Sequence, residues 1–329
     1  MTGLVLVVGA PRSGTTWVQA LLGAQPGVVT PQETELFTRY VRPLHDAWQW
    51  QMRGQPDDWA RRRFKGLPSM MRTEDHDAMV RTMIDTALDA VLATAGTLDA
   101  AAIVEKSPSH SFCADVVAAY VPDARVVHLV RDGRDVADSL AAAAAGWGRG
   151  WAPATVAGAA RSWRDHLVAA RQYPELGLAY HEVRYEALSR ADASALHELY
   201  AFCGFEVDGP ECARRLEAAR FGAMAEGGQD PITIGGEFAK YATDRAEPEG
   251  FYRRGEPGGW RDTWSPTDRL RFDAIAGALL VELGYEPDRS WAGDDHRARA
   301  FRAADSARHG LGAIGRRAGR LGDRIDPQP

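Results

Sequence analysis

The sequence predicts an α/β protein built on a central parallel sheet flanked by helices. Leu4–Val8, a short apolar run rich in β-branched residues, suits a strand buried in a parallel sheet, and Ala101–Val104, Arg125–Val130 and Leu178–Tyr185 read as further strands. Stretches of helical periodicity separate these runs, and that alternation favours parallel strands joined by crossover helices. Polar segments follow the strands directly and place Arg12, Lys106 and Arg131 at strand C-termini, where open α/β sheets bind ligands.

Taken in order, Leu4–Val8 is the first strand, and Gly9-Ala10-Pro11-Arg12-Ser13-Gly14 is a tight turn. Thr15–Leu22 is a helix with Trp17, Leu21 and Leu22 along one face. Gly27–Arg39 reads as a polar turn carrying Glu33 and Glu35. His45–Lys65 holds Trp48, Trp50, Trp59 and Phe64, most of them expected in the core. Asp75–Thr94 is an amphipathic helix. The second strand ends in Glu105-Lys106-Ser107-Pro108, and the third in Arg131-Asp132-Gly133-Arg134-Asp135, with a helix from about Val136 to Ala145. Pro153–Arg171 is the next helix, with proline near its first turn. Asp192–Cys203 is a helix stopped by Gly204. Residues 222–250 are rich in glycine and polar residues and read as a mobile loop near the site. Ser265-Pro266-Thr267-Asp268 is a helix start.

Composition bounds the function. The 329 residues are 45 % hydrophobic and 26 % charged, which suits a globule. A net charge of −6 argues against a general nucleic-acid binder. No apolar run is long enough to span a bilayer, and Met1–Gly9 lacks the pattern of a signal peptide. The three cysteines, Cys113, Cys203 and Cys212, are odd in number and lack metal-ligand spacing, so reduced thiols in the cytoplasm are expected.

The first turn is where chemistry begins. A strand, a glycine-bearing turn and a helix N-terminus together make an anion site, because unpaired N–H groups and the helix dipole both favour negative charge. The turn resembles a Walker A loop, Gly-x4-Gly-Lys-Ser/Thr, in the spacing of Gly9 and Gly14, but Thr15 stands at the lysine position and the cation is Arg12. A phosphate site without metal fits this pattern better than a nucleotide triphosphatase. Arg131 and Ser139 form a second constellation, a guanidinium at a strand end and a hydroxyl on the following helix, eight residues apart. Converging, they make a compact phosphate clamp.

The segment Pro11-Arg12-Ser13-Gly14-Thr15-Thr16-Trp17 resembles the 5′-phosphosulfate loop of sulfotransferases that use 3′-phosphoadenosine 5′-phosphosulfate (PAPS). The segment from Val127 to Ser139 resembles their strand–Arg–x7–Ser–helix element for the 3′-phosphate. Arg253-Arg254-Gly255-Glu256-Pro257-Gly258-Gly259-Trp260 resembles their C-terminal Arg-Lys-Gly segment. The resemblance implies the P-loop NTPase-like sulfotransferase fold and PAPS as donor, with no metal. It assigns donor binding to Arg12, Ser13, Gly14, Thr15, Thr16, Trp17, Arg131, Ser139, Arg253, Arg254 and Gly255. Tyr185, in Val-Arg-Tyr-Glu-Ala-Leu, resembles a family segment near the adenine; Trp17 and Tyr185 suit base stacking or core packing equally.

Sulfuryl transfer needs a cation at the leaving bridging oxygen and a base for the acceptor's proton. Arg12 and Lys106 are the cations that the resemblance points to. The cytosolic Lys-x-His pattern fails here because position 108 is proline, although His110 lies four residues after Lys106. Glu33, 21 residues after Arg12, resembles the carboxylate base of tyrosylprotein sulfotransferases in its placement, with Glu35 as rival.

The expected organisation is a sulfotransferase domain over residues 1–292 and an Arg/Gly-containing tail over 293–329. The acceptor is a hydroxyl or amine of a small molecule, carbohydrate or lipid. Neither the acceptor nor the oligomeric state, a homo-oligomer included, is coded in the sequence. The alternatives are a P-loop kinase of a small metabolite and a catalytically inactive nucleotide-binding or scaffold protein.

Overall fold

A computed structural model describes residues 3–56, 58–63, 66–219, 256–293 and 300. Strand β1 (Gly3–Val8) is the middle of a five-stranded sheet with β2 (Val28–Val29), β3 (Ala102–Lys106), β4 (Arg125–Val130) and β5 (Ala179–Arg184). The order is β2-β3-β1-β4-β5, and every pairing is parallel. β1 is apolar throughout because both of its faces are covered. Leu4, Leu6 and Val8 pack with Phe37, Val41, Ile84 and Tyr173 on one side. Val5 and Val7 pack with Val18, Leu21, Leu22 and Tyr200 on the other. Strand side chains alternate in direction, so a run without polar residues is what double-sided burial requires.

This order positions the site. From β1 the chain steps out to β2, returns to β3 between them, then crosses to β4 and β5 on the far side. The strand order therefore reverses at β1, and the crevice of such a sheet lies beyond the carboxyl end of that strand. Val7 pairs with Lys106 and Val8 with His128, so the turn after β1, Lys106 and Arg131 emerge from one edge of the sheet.

The helices are α1 (Thr15–Gly23), α2 (Arg42–Met52), α3 (Thr73–Thr94), α4 (Ala114–Tyr120), α5 (Gly133–Ala145), α6 (Val156–Ala170), α7 (Gln172–Glu175), α8 (Tyr185–Ser189), α9 (Ala193–Cys203), α10 (Gly209–Ala218) and α11 (Pro266–Glu282). A π-helical turn, Leu36–Val41, runs directly into α2. Several boundaries differ from the sequence reading. β3 extends through Glu105 and Lys106, both buried. α5 starts at Gly133 because the Asp132 carboxylate accepts the Arg134 N–H at 2.9 Å. α6 starts after Pro153, where Thr155 Oγ1 accepts the Gly158 N–H. Of the tryptophans expected in the core, Trp48 is buried, whereas Trp50 and Trp59 are 62 % and 40 % exposed. Positions 48 and 50 lie about 200° apart around a helix, so one inward face cannot take both.

The chain divides into two compact units, Met1–Arg131 with Asp165–Pro257, and Asp132–Arg164 with Gly258–Pro329. The first holds the sheet. Arg134 organises the second: it is buried, its Nη2 donates to Asp132 at 2.7 Å, and its Nη1 pairs with Glu286. Its guanidinium lies 4.3 Å from the Trp260 ring and 4.7 Å from the Trp291 ring. Arg253, Arg254 and Gly255, the segment 222–250, and nearly all of 293–329 lie outside the described residues. Among the described residues no helix is long and apolar enough to cross a membrane. The three cysteines are free and buried, and burial pushes the Cys203 thiol up to about 12.

His128 gives the fold a pH dependence. Its ring is buried on β4, with Nδ1 2.6 Å from the Tyr180 hydroxyl and 3.9 Å from Glu182, which is paired with Arg171 and Arg184. Burial first, then the charges of Arg171, Arg184 and His166, push its pKa down to about 3. An unfolded histidine titrates near 6.5 (about). Between those values the unfolded chain binds a proton that the native state refuses, so this contribution is complete above the higher value and lost as pH falls toward the lower. Urea denaturation across that window should show His128→Gln with a shallower acid loss of stability than wild type; identical slopes would contradict this account.

Candidate active site

The turn after β1 is held open by its backbone. Gly9 and Gly14 have φ of 147° and 99°, and Arg12 takes a left-handed φ of 72°. A left-handed conformation at a residue with a side chain costs on the order of 1–3 kcal/mol, so its surroundings must enforce it. Here the Ser13 N–H and hydroxyl both donate to the Ala10 carbonyl, at 3.1 and 2.7 Å. The Gly9 N–H donates to Ser111 Oγ at 3.1 Å. Gly14 caps α1 and offers no side chain to its first turn. The Trp17 N–H is donated to the Gly14 carbonyl at 2.9 Å; the N–H groups of Thr15 and Thr16, with the helix dipole behind them, suit an anion. Arg12 and Thr16 are half-buried there, and Ser13 and Thr15 are buried.

Arg131 is seated on the same turn. Its guanidinium lies 4.1 Å from the Tyr185 ring centre, and its Nη1 donates to the Arg12 carbonyl at 3.4 Å. Tyr185 is buried, and a Cβ added at Gly14 would lie 2.7 Å from its ring. Trp17 meets Tyr185 edge-on at 5.4 Å and donates its ring N–H to the Ala219 carbonyl. Both aromatic rings thus have packing partners in the protein, and Tyr185 forms the floor beneath Arg131.

The second part of the site lies at the end of β3. Lys106, buried to its tip, is ion-paired with Glu33, whose side chain is 45 % exposed. Thr34, the next residue of that loop, donates its N–H and hydroxyl to Glu105 Oε1 at 3.0 and 2.8 Å. The Glu35 N–H donates to Ser107 Oγ, the Leu36 N–H to Thr34 Oγ1, and the Phe37 N–H to His110 Nε2. Thr38 Oγ1 donates to Ser109 Oγ. The Phe37 donation assigns the ring proton of His110 to Nδ1, which sits 2.8 Å from Glu105 Oε2. Burial alone would raise the Glu105 pKa; the nearby His110 imidazole and hydrogen bonds from Ser107 and Thr34 outweigh it and hold the carboxyl below the usual range. Gln19, from α1, donates to the Pro31 carbonyl at 2.8 Å and fixes the start of the loop.

The structure thus gathers Arg12, Ser13, Gly14, Thr15, Thr16, Trp17, Arg131 and Tyr185 around the turn, and Glu33, Glu35, Lys106 and His110 around the end of β3. Glu35 is paired with Arg39. His110 is fully buried, with each ring nitrogen facing a protein partner. Ser139 lies half-buried on α5 in the second unit. Sequence reasoning missed Glu105, because its partner Thr34 lies about seventy residues upstream; the signal available was a carboxylate following the apolar residues of a buried strand.

Gly14→Ala separates backbone strain from crowding at the turn. The added methyl meets the Tyr185 ring as well as a positive φ, whereas at Gly54, with φ 72°, it would meet nothing within 4 Å. Thermal unfolding should show Gly14→Ala less stable than Gly54→Ala by about 1–3 kcal/mol, the usual cost of overpacking; equal losses would remove the tight contact.

Residues 5–209 match the model of the sulfotransferase family. No curated protein matches the sequence significantly. Among solved structures, the chain is similar to the sulfotransferase domain of the Synechococcus PCC 7002 olefin synthase, with 18 % identity, a TM-score of 0.50, and 85 % of this chain and 96 % of that one covered. It is also similar to mouse sulfotransferase SULT7A1 complexed with PAP, with 14 % identity, a TM-score of 0.50, and 92 % and 88 % covered. At such identities these structures speak for the fold. With more than half of its length matched by the family model, and the phosphate-loop architecture in place, the chain belongs to the sulfotransferase family, and the chemistry its site has to perform is transfer of a sulfuryl group.

Proposed function

We propose that the protein moves the sulfuryl group of PAPS to a hydroxyl or amine of a small-molecule, carbohydrate or lipid acceptor, leaving 3′-phosphoadenosine 5′-phosphate (PAP). The observation that carries this reading is the α1 N-terminus without a side-chain cap, flanked by Arg12 and by an Arg131 seated on the same turn. Gly9 and Gly14 keep that turn clear, since a Cβ at either would meet Leu129 or Tyr185. These features fit a donor with phosphate groups at both ends: the turn suits the 5′-phosphosulfate and Arg131 the 3′-phosphate.

The donor supplies an activated S–O bond. The acceptor oxygen or nitrogen bonds to sulfur, the bond from sulfur to the bridging oxygen breaks, and the acceptor releases one proton. Arg12 and Lys106 are the cations for the charge that grows on the bridging oxygen. Glu33 is the base we favour. It is exposed enough to meet an acceptor, whereas His110 is sealed in and Glu35 is engaged by Arg39. Its resting partner, Lys106, is the group that donor binding would recruit, so the proton acceptor is released as the cation is taken up.

Calorimetry should show PAP binding unchanged by EDTA, with adenosine 5′-phosphosulfate binding poorly. Arg131→Ala should weaken PAP binding by about ten- to a hundredfold, the worth of one charge-assisted hydrogen bond. Tight, Mg²⁺-dependent ATP binding would favour a kinase instead. Glu33→Gln should lower turnover by about 10²–10⁴-fold while PAP affinity stays within twofold or so; full turnover in this variant would move the base elsewhere.

A further inference from the structure

We propose that Glu105 is a positioning residue for sulfuryl transfer: as a buried carboxylate it locks the loop that carries Glu33 onto the strand that carries Lys106. The inference rests on the reading of Glu33 as the base and goes beyond it to what aims that base.

Every polar group facing the Glu105 carboxylate is a donor. Thr34 gives its N–H and hydroxyl and Ser107 its hydroxyl at 2.6 Å, all to Oε1, while His110 Nδ1 faces Oε2 at 2.8 Å without hydrogen-bond alignment. A carboxylate accepts all three at Oε1 and still turns an acceptor, Oε2, to the His110 ring; a glutamine that keeps the three bonds turns its NH₂ group to that ring instead. The grip is also continuous. Glu33, Thr34, Glu35, Phe37 and Thr38 are held in turn by Lys106, Glu105, Ser107, His110 and Ser109. Glu105 touches three members of this set, directly binding Thr34 and orienting Ser107 and His110 for Glu35 and Phe37. Glu105 is 2 % exposed, and its neighbour Lys106 leaves the strand on the opposite face, so one strand end both anchors the loop and supplies the cation the loop meets. Within the loop, the Glu33 side chain is fixed by the Lys106 ammonium, and the next residue is clamped. Loosening Thr34 frees Glu33 to leave its position, while the turn after β1 keeps its own bonds, from the Ser13 hydroxyl to the Ala10 carbonyl and from the Gly9 N–H to Ser111 Oγ.

The test uses PAPS hydrolysis, with water as acceptor and sulfate release as readout, alongside PAP calorimetry. Glu105→Gln should lower kcat at least tenfold while PAP affinity stays within twofold or so. The same substitution in a Glu33→Gln background should change kcat by less than about twofold, because a residue acting through Glu33 has nothing left to aim. A merely structural role would lower both rate and affinity, and its effect would persist in that background. If Glu105→Gln does not fold, the double variant Thr34→Val/Ser107→Ala loosens the loop while keeping the buried charge, and should show the same pattern. The proposal fails if the folded variants keep kcat within twofold, or if the Glu105→Gln loss is undiminished without Glu33. A wild-type protein that neither binds PAP nor hydrolyses PAPS would instead overturn the proposed function, a different result from either.

Discussion

The first N–H groups of a helix have no partner inside it, and where they are not solvated something must supply one. This protein meets that constraint twice, in opposite ways. The helical run that begins at Leu36 has the N–H groups of Glu35, Leu36 and Phe37 answered by side chains of Ser107, Thr34 and His110. The run that begins at Thr15 follows Gly14 and receives no side-chain cap. One helix end is closed by the protein itself and becomes scaffold. The other has no side chain at its cap residue, and its dipole favours negative charge there. Both helices sit in the unit that holds the sheet, and both ends follow from how the chain leaves β1 and β3.

The sheet was largely legible from the sequence, for a physical reason. β1, β3 and β4 are buried on both faces, and that burial leaves runs such as Leu4–Val8 with no polar residue to confuse the pattern. The turn after β1 was legible because its glycines answer a local backbone demand. The loop from Thr30 to Thr38 was not. Its conformation depends on Glu105 and His110, about seventy residues away, and no local periodicity records such a partnership. β2, two residues long, leaves no periodic trace at all. Trp50 illustrates the opposite error: apolar character alone suggested burial, but its position on α2 turns it to solvent.

The segment Arg131 to Asp135 shows how closely spaced charges divide between roles. Arg131 reaches the turn after β1 and lies on Tyr185. Asp132 and Arg134 pair with each other, and Asp135 accepts the Gly258 N–H at 2.8 Å. Three of these four charged side chains hold the second unit together, and one remains for the turn. A fork of five donors suits arginine to both tasks.

The three thiols carry a consequence of another kind. Cys113, Cys203 and Cys212 are the whole cysteine complement of the chain, and all are buried. Burial raises the pKa of each, so the reactive thiolate is scarce at neutral pH. Oxidants and alkylating probes therefore meet an almost silent background. A single cysteine introduced on the loop surface, at Gln32 for instance, would be the one site to take a fluorophore or spin label, and would report movement of the Glu33 segment without any native residue being removed from the core.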